Sequence, residues 1–289
     1  MGDSPESKTI TLPTALITGC SDGGIGSSLA KAFHARGVHV FATTRKLSKM
    51  TGLEGLPNVT RLELDVESPS SVAAAKETVI AATSGDGRLN YLVNNSGVNL
   101  NFPAVETDIK EAKKVFDVNF WGVVSVTNTF LPLLIASNGM IINNVSLAGA
   151  LYAPWGSFYA ASKAALRTYS ETLRLELAPL GVKVMTVMTG LVTSQIFDNA
   201  QHNYLAETSH YTPAAAEIAS LSSGRTVKSH SMSTAVYAQR VVDDAIGGRS
   251  GERWRGNMAS VTWLCTWLLP TWLIDIVLVS TSGLKHMVK

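Results

Sequence analysis

Short apolar runs rich in β-branched residues alternate with longer helical patterns along most of this chain: TALIT, GIGSSLAKAFHARG, VHVFATT, NVTRLEL, SPSSVAAAKETVIAAT, LNYLVNN. Strands separated by helices cannot pair as hairpins. Each helix carries the chain across to lay the next strand parallel to the last, so both faces of the sheet become covered. The expected fold is a single α/β domain: a doubly wound parallel sheet of about seven strands with helices on both faces. Seven strand-like runs are placed before residue 190. DVNFWGVVSVTNTFLPLLIAS reads as a long, mostly buried helix, GMIINNVS as a strand, SFYAASKAALRTYSETLRLELAP as an amphipathic helix ending before Pro179, and VKVMTVM as the next strand. A hydrophobic share of 46% in 289 residues is enough for one large core.

Outside this alternation the texture changes twice. Residues 1–8 are polar and read as a flexible tail before a domain spanning 9–255. Within that domain, 193–232 is rich in Ser, Thr, His and Ala and reads as a variable loop with one or two short helices. Residues 256–289 form an apolar tail. From Met258 to Val279 the tail is long enough for a bilayer core, but Pro270 interrupts it and Asp275 would be costly at depth. Two short helices lying in a membrane surface, with Trp263, Trp267 and Trp272 at the interface, are one reading. A cover over a cleft and a subunit interface are the others.

Charge and cysteine content narrow the partners. There are 24 basic residues against 22 acidic ones and no basic run, so a small molecule is expected rather than a nucleic acid. Cys20 and Cys265 stand far apart without metal or disulfide spacing, which fits a reducing compartment, and no metal site is expected. The first residues lack the basic and apolar regions of a signal peptide. The expected location is cytoplasmic, with the surface of the endoplasmic reticulum or a lipid droplet open if the tail binds membrane.

The first strand runs into ITGCSDGGIG and then a helix, the arrangement in which backbone N–H groups and the positive end of a helix face a pyrophosphate. Asp22 is anomalous in such a loop. It is expected to point outward, into water or onto the following helix, with Arg45 offsetting its charge. After the second strand Thr44, Arg45 and Lys46 stand where an acid would select NAD; an arginine there suits the 2′-phosphate of NADP, so NADP(H) is the expected cofactor. A solvated strand end is the plainer account of these cations. Asp65 and Asn95 end the third and fourth strands at the same sheet edge. Asp65 can accept from an adenine amino group or cap the turn before SPSS.

YAASK sets Tyr159 and Lys163 one helical turn apart, so that a cation can favour the phenolate and make the tyrosine a usable acid. Ser146 ends the strand MIINNVS. Asn119 lies early in the long apolar helix, where an amide needs a partner.

These motifs together, TGCSDGGIG, NNSG, VNFWG, the serine of VSLAG, YAASK and TGLVTS, resemble the short-chain dehydrogenase/reductase superfamily, from about Thr14 to Ser194. TGCS, FDVNFWG, SKAAL and ETLRLELAPLGVKV are most similar to a fungal branch that includes 1-acyldihydroxyacetone-phosphate reductase. The resemblance implies a Rossmann-type fold and Tyr159 as proton donor. Lys163 would lower the tyrosine's pKa and hold the nicotinamide ribose, Ser146 would bond the carbonyl, and Asn119 would hold a relay water. Gly19, Ser21, Gly24, Ile25 and Gly26 would cradle the cofactor, with Asp65 and Asn95 at the adenosine side and Val192 and Ser194 at the nicotinamide amide. The loop has one residue more than the family's usual turn, and Thr189 stands where proline is common, which should leave that turn less rigid. The implied function is an NADPH-dependent ketoreductase acting on a lipid-like or secondary-metabolite ketone. An NAD-dependent alcohol dehydrogenase and a catalytically silent, membrane-associated NADP-binding protein are the rivals. Arg225, Lys228 and a few histidines are the only cations of the variable loop, which weakens a lipid phosphate as substrate. Relatives of this kind commonly pair through the helices that hold Asn119 and Tyr159, so a homodimer or homotetramer stands beside a monomer as an open reading.

Overall fold

The computed structural model describes residues 10, 12–83, 87–197, 205–225 and 230–287. The tail 1–8, Lys228 and part of the variable loop lie outside the described residues.

Seven parallel strands form one sheet: β1 (Thr14–Ile17), β2 (His39–Thr44), β3 (Val59–Glu63), β4 (Tyr91–Asn94), β5 (Met140–Asn144), β6 (Lys183–Thr189) and β7 (Gly251–Arg255). Their order is β3-β2-β1-β4-β5-β6-β7, so the winding reverses between β1 and β4, where Ile17 pairs with both Ala42 and Val93. That reversal opens a crevice at the carboxyl ends of the strands. Among the described residues six strands, not seven, precede residue 190. The seventh is GERWR, whose three charged residues carry no strand pattern; its backbone pairs with β6 at the sheet edge, and every residue in it is only half-buried.

Strand alternation divides the core in two. Ala15, Ile17, Val40 and Ala42 face Leu29 and Phe33 of α1 (Ile25–His34) and Val241 of α7 (Thr234–Ile246). Leu16 and Phe41, one residue out of phase, face the other side. There they meet Val72 and Val79 of α2 (Pro69–Ala82), Val126 and Phe130 of α4 (Gly122–Ser137) and Leu173 of α5 (Ser157–Leu177). Truncating a filled position such as Phe130 to alanine would cost about 3–5 kcal/mol.

The long apolar helix starts earlier than its apolar residues do. α3 (Ile109–Phe116) is capped by Asp108, which accepts from Lys110 N at 2.7 Å, and a π turn over Asp117–Trp121 joins it to α4. The variable region holds α6 (Ala215–Ser222). The tail forms α8 (Ala259–Leu268) and α9 (Thr271–Thr281), broken at Pro270.

Candidate active site

A cleft of about 1000 Å³ lies over the switch between β1 and β4. It is lined by Gly19, Ser21, Gly24, Ile25, Thr44, Arg45, Asp65, Asn95, Ser146, Tyr159, Lys163, Val192 and Ser194. One cavity thus gathers every expected site residue except Gly26 and Asn119. Gly26 lies just beneath the turn, where an added Cβ would sit 2.3 Å from Gly19 O, so glycine is what lets α1 start against the loop. Gly19 has φ +74°, and no side chain caps α1, whose first turn follows Gly24. Backbone alone therefore faces the cleft at a helix N-terminus, which suits a pyrophosphate. With Arg45, Lys46 and Lys49 on the rim beside it, the residues present fit a nicotinamide dinucleotide.

Asp22 does not disturb this cradle: it points outward at the solvent-exposed edge of the loop, as expected, but does not cap α1. Its carboxylate accepts from Thr51 N at 2.7 Å, Thr51 Oγ1 at 2.8 Å and Gly52 N at 2.9 Å, at the start of a 3₁₀ turn over Thr51–Leu53. Desolvation works to raise its pKa, but the bonds from Thr51 and Gly52 and the charge of Lys31 outweigh it and hold the carboxyl below the usual range. Lys31, rather than Arg45, is the offsetting cation. The extra residue in the turn is what carries this staple.

At the far end of the cleft, Ser146 follows β5 and Tyr159 lies in the first turn of α5, their hydroxyls hydrogen-bonded. Lys163 is 4% exposed; its Nζ donates to Asn144 O at 3.0 Å and lies 5.9 Å from the centre of the Tyr159 ring. Burial dominates both groups. It pushes the Tyr159 phenol above its ordinary value, opposed by the bond to Ser146, and it lowers Lys163 to about 8. The expectation from the spacing, a phenol lowered by the ammonium, is not met: burial raises the phenol, and the bond to Ser146 is what opposes it.

Asn119 sits on the π turn and is fully buried. Its amide brackets Val98, accepting from the N–H and donating to the C=O at 2.9 Å each, and donates to Ser162 Oγ at 3.1 Å. Ser162 in turn donates to Tyr159 O at 2.7 Å. The side chain thus anchors the β4 loop to α5 instead of projecting into the cleft. Asn95 likewise braces the turn: Nδ2 donates to Thr18 O at 2.9 Å and Gly19 O at 3.2 Å. One oxygen of Asp65 takes Glu67 N at 3.1 Å, while Ser68 caps α2. Ser21 Oγ and Thr44 Oγ1 are 3.2 Å apart and tie the ends of β1 and β2.

Three cleft features go beyond the sequence reading. Asn144 holds Lys163 through its carbonyl and Asn95 through its amide, Nδ2 to Oδ1 at 2.9 Å. Thr189 donates to Asn144 Oδ1, and its oxygen lies 2.6 Å from the buried Tyr237 hydroxyl, so the turn without proline is fastened by hydrogen bonds. Asn99 is 7% exposed and lines the cleft with Oδ1 unpartnered. Only Thr189 stood out in sequence, through its departure from proline.

Comparison with known proteins agrees with this geometry. The sequence profile described as short chain dehydrogenase matches residues 13–205. The chain is 46% identical over 273 residues to short-chain dehydrogenase ptmH of Penicillium ochrochloron, covering 94% of this chain and 98% of the relative. It is 44% identical over 181 residues to the NADPH-dependent 1-acyldihydroxyacetone phosphate reductase of Schizosaccharomyces pombe, covering 63% and 60%. Among solved structures, a short chain dehydrogenase of Burkholderia cenocepacia in complex with NADP aligns with a TM-score of 0.71 at 25% identity, over 93% of this chain and 98% of that one.

Proposed function

The chain belongs to the short-chain dehydrogenase/reductase family, and we propose that within it this protein is an NADPH-dependent ketoreductase acting on a lipid-like or secondary-metabolite ketone. The observation that carries this is the meeting of Tyr159, Ser146 and Lys163 in one cleft with an uncapped glycine turn. Ser146 and Tyr159 present two hydroxyls to one carbonyl oxygen, which orients it and stabilises the charge that develops there. Tyr159, its phenol kept protonated by burial, gives that oxygen its proton. Lys163, fixed on Asn144 O, places a positive charge beside the phenol and is the residue to hold the ribose hydroxyls. When bound, the dinucleotide supplies hydride to the carbonyl carbon. The basic rim of Arg45, Lys46 and Lys49, together with the NADPH-dependent relative, supports NADP over NAD.

The test is a scan of ketones followed by NADPH absorbance, with Tyr159→Phe as control. The variant should lose at least ~10³-fold in kcat, near the middle of the range for general acid catalysis, yet bind NADPH as tightly as the parent. An unchanged rate removes Tyr159 as the acid, and failure to bind NADPH removes the cofactor assignment.

A further inference from the structure

α8 and α9 leave most of their apolar surface uncovered. Only Ala259 and Thr262 of the two helices are buried, while Trp267 is 77%, Leu268 67% and Trp272 62% exposed. Several hydroxyls on the pair are satisfied within their own helix. Thr266 donates to Trp263 O at 2.9 Å, Ser280 to Val277 O at 2.8 Å and Thr281 to Val277 O at 3.0 Å. Asp275, the single charge in either helix, is hydrogen-bonded to Tyr152. At 10 and 11 residues, each helix is about 15–17 Å long, half of a bilayer core of about 30 Å.

We propose that α8 and α9 form a docking surface for a phospholipid bilayer, lying in its interface with Trp263, Trp267 and Trp272 inserted. Charge selects the bilayer over a second copy. Residues 249–289 hold five Lys and Arg against two acids, a surplus of three where the whole chain has a surplus of two. Within the segment Arg249 and Arg255 pair with Asp244, Glu252 pairs with Arg167 and Asp275 bonds Tyr152, so among the described cations Arg253 and Lys285 carry the surplus. Two copies meeting here would bring like surpluses together, whereas anionic headgroups complement them.

The same element is fastened to the segment that leads into α5 and Tyr159. Trp155, four residues before Tyr159, donates its indole N–H to Ser282 O at 2.8 Å. Leu284 and Met287 pack with Trp155 and with Ile218 of α6, and His286 lies 3.5 Å from Glu217. Docking therefore sets the cleft beside the lipid phase, and on the ketoreductase reading the ketone is drawn from it.

Flotation of the full chain with phosphatidylcholine vesicles, with and without phosphatidylserine, tests this without an activity assay. The protein should float, more strongly with phosphatidylserine, and the exposed-site variant Trp263→Ser/Trp267→Ser/Trp272→Ser should lose partitioning by at least ~10-fold while binding NADPH unchanged. Brominated acyl chains should quench the parent's tryptophan fluorescence, a reading that needs no variant. Equal flotation of the variant, or no quenching, overturns the proposal. So does a parent that stays at the bottom of the gradient and forms a dimer that the triple variant cannot.

Discussion

Asp22 and Thr51 are joined by two hydrogen bonds, carboxylate to backbone N–H at 2.7 Å and to hydroxyl at 2.8 Å, which turn the glycine loop's only charge away from the phosphate cradle. The backbone returns the tie, since Asp22 N donates to Lys49 O at 2.8 Å. Asp22→Ala should therefore cost about 1 kcal/mol of stability, the usual worth of a side-chain cap, and raise KM for NADPH through a looser loop. The carboxyl's pKa is lower in the folded chain than in the unfolded one. Its contribution is therefore present above the ordinary carboxylate value of 3.8 and lost as pH falls through the depressed one. Thermal melts of parent and variant should converge in acid; a constant gap down to the lowest pH would refute the carboxylate's part.

Lys163 presents the opposite case. Burial lowers its pKa to about 8 from 10.5, so the unfolded chain binds the extra proton between those values and stability rises with pH across that window. Lys163→Met removes the cost of burying the ammonium. At pH 7 the variant should melt at or above the parent's temperature while losing turnover, and its advantage should shrink as pH approaches 10. A variant that melts lower at pH 7 would show that the bond to Asn144 O outweighs desolvation.

Arg45 stands exposed on the rim at the end of β2, beside Lys46 and Lys49. A partly exposed cation facing a phosphate contributes on the order of 1–2 kcal/mol, so Arg45→Ala should weaken NADPH about 5- to 30-fold and NADH hardly at all. Equal losses for both cofactors, measured by titration of intrinsic fluorescence, would assign Arg45 a structural role.

The parts of this protein that were legible in sequence are those where a motif fixes backbone and chemistry together. TGCSDGGIG specifies a turn before a helix, and YAASK puts phenol and amine on one helix face, so both sites follow from local geometry. The contacts that were not legible join residues far apart in the chain. Asp22 meets Thr51 and Thr189 meets Tyr237 only once β1, β2 and β6 are placed. β7 was hidden because an edge strand paired through its backbone needs no apolar alternation. α3 carried a readable signal in the Asp108 cap and the Glu111–Lys114 pair, but IKEAKKVF lacks the apolar run that marks its continuation in α4.

Thr189 and Tyr237 form the start of a donor chain with a fixed direction. Asn144 Oδ1 can only accept, so Thr189 donates to it and receives from the Tyr237 hydroxyl; Asn144 Nδ2 then donates to Asn95, whose own amide holds Thr18 O and Gly19 O. Tyr237 is 1% exposed, and among the described residues its hydroxyl's other partner is Asn144 Oδ1 at 3.4 Å. Thr189→Val strands that buried hydroxyl and should cost about 1–3 kcal/mol, whereas Tyr237→Phe removes the donor and leaves Thr189 bonded to Asn144, costing about 1 kcal/mol or less. The double variant strands nothing at Tyr237 and should be less destabilised than the sum of the two by roughly 1 kcal/mol. Because the chain ends on the glycine turn, Thr189→Val should also raise KM for NADPH more than it lowers kcat. Strict additivity in urea unfolding, with KM unchanged, would sever this chain from the cofactor site.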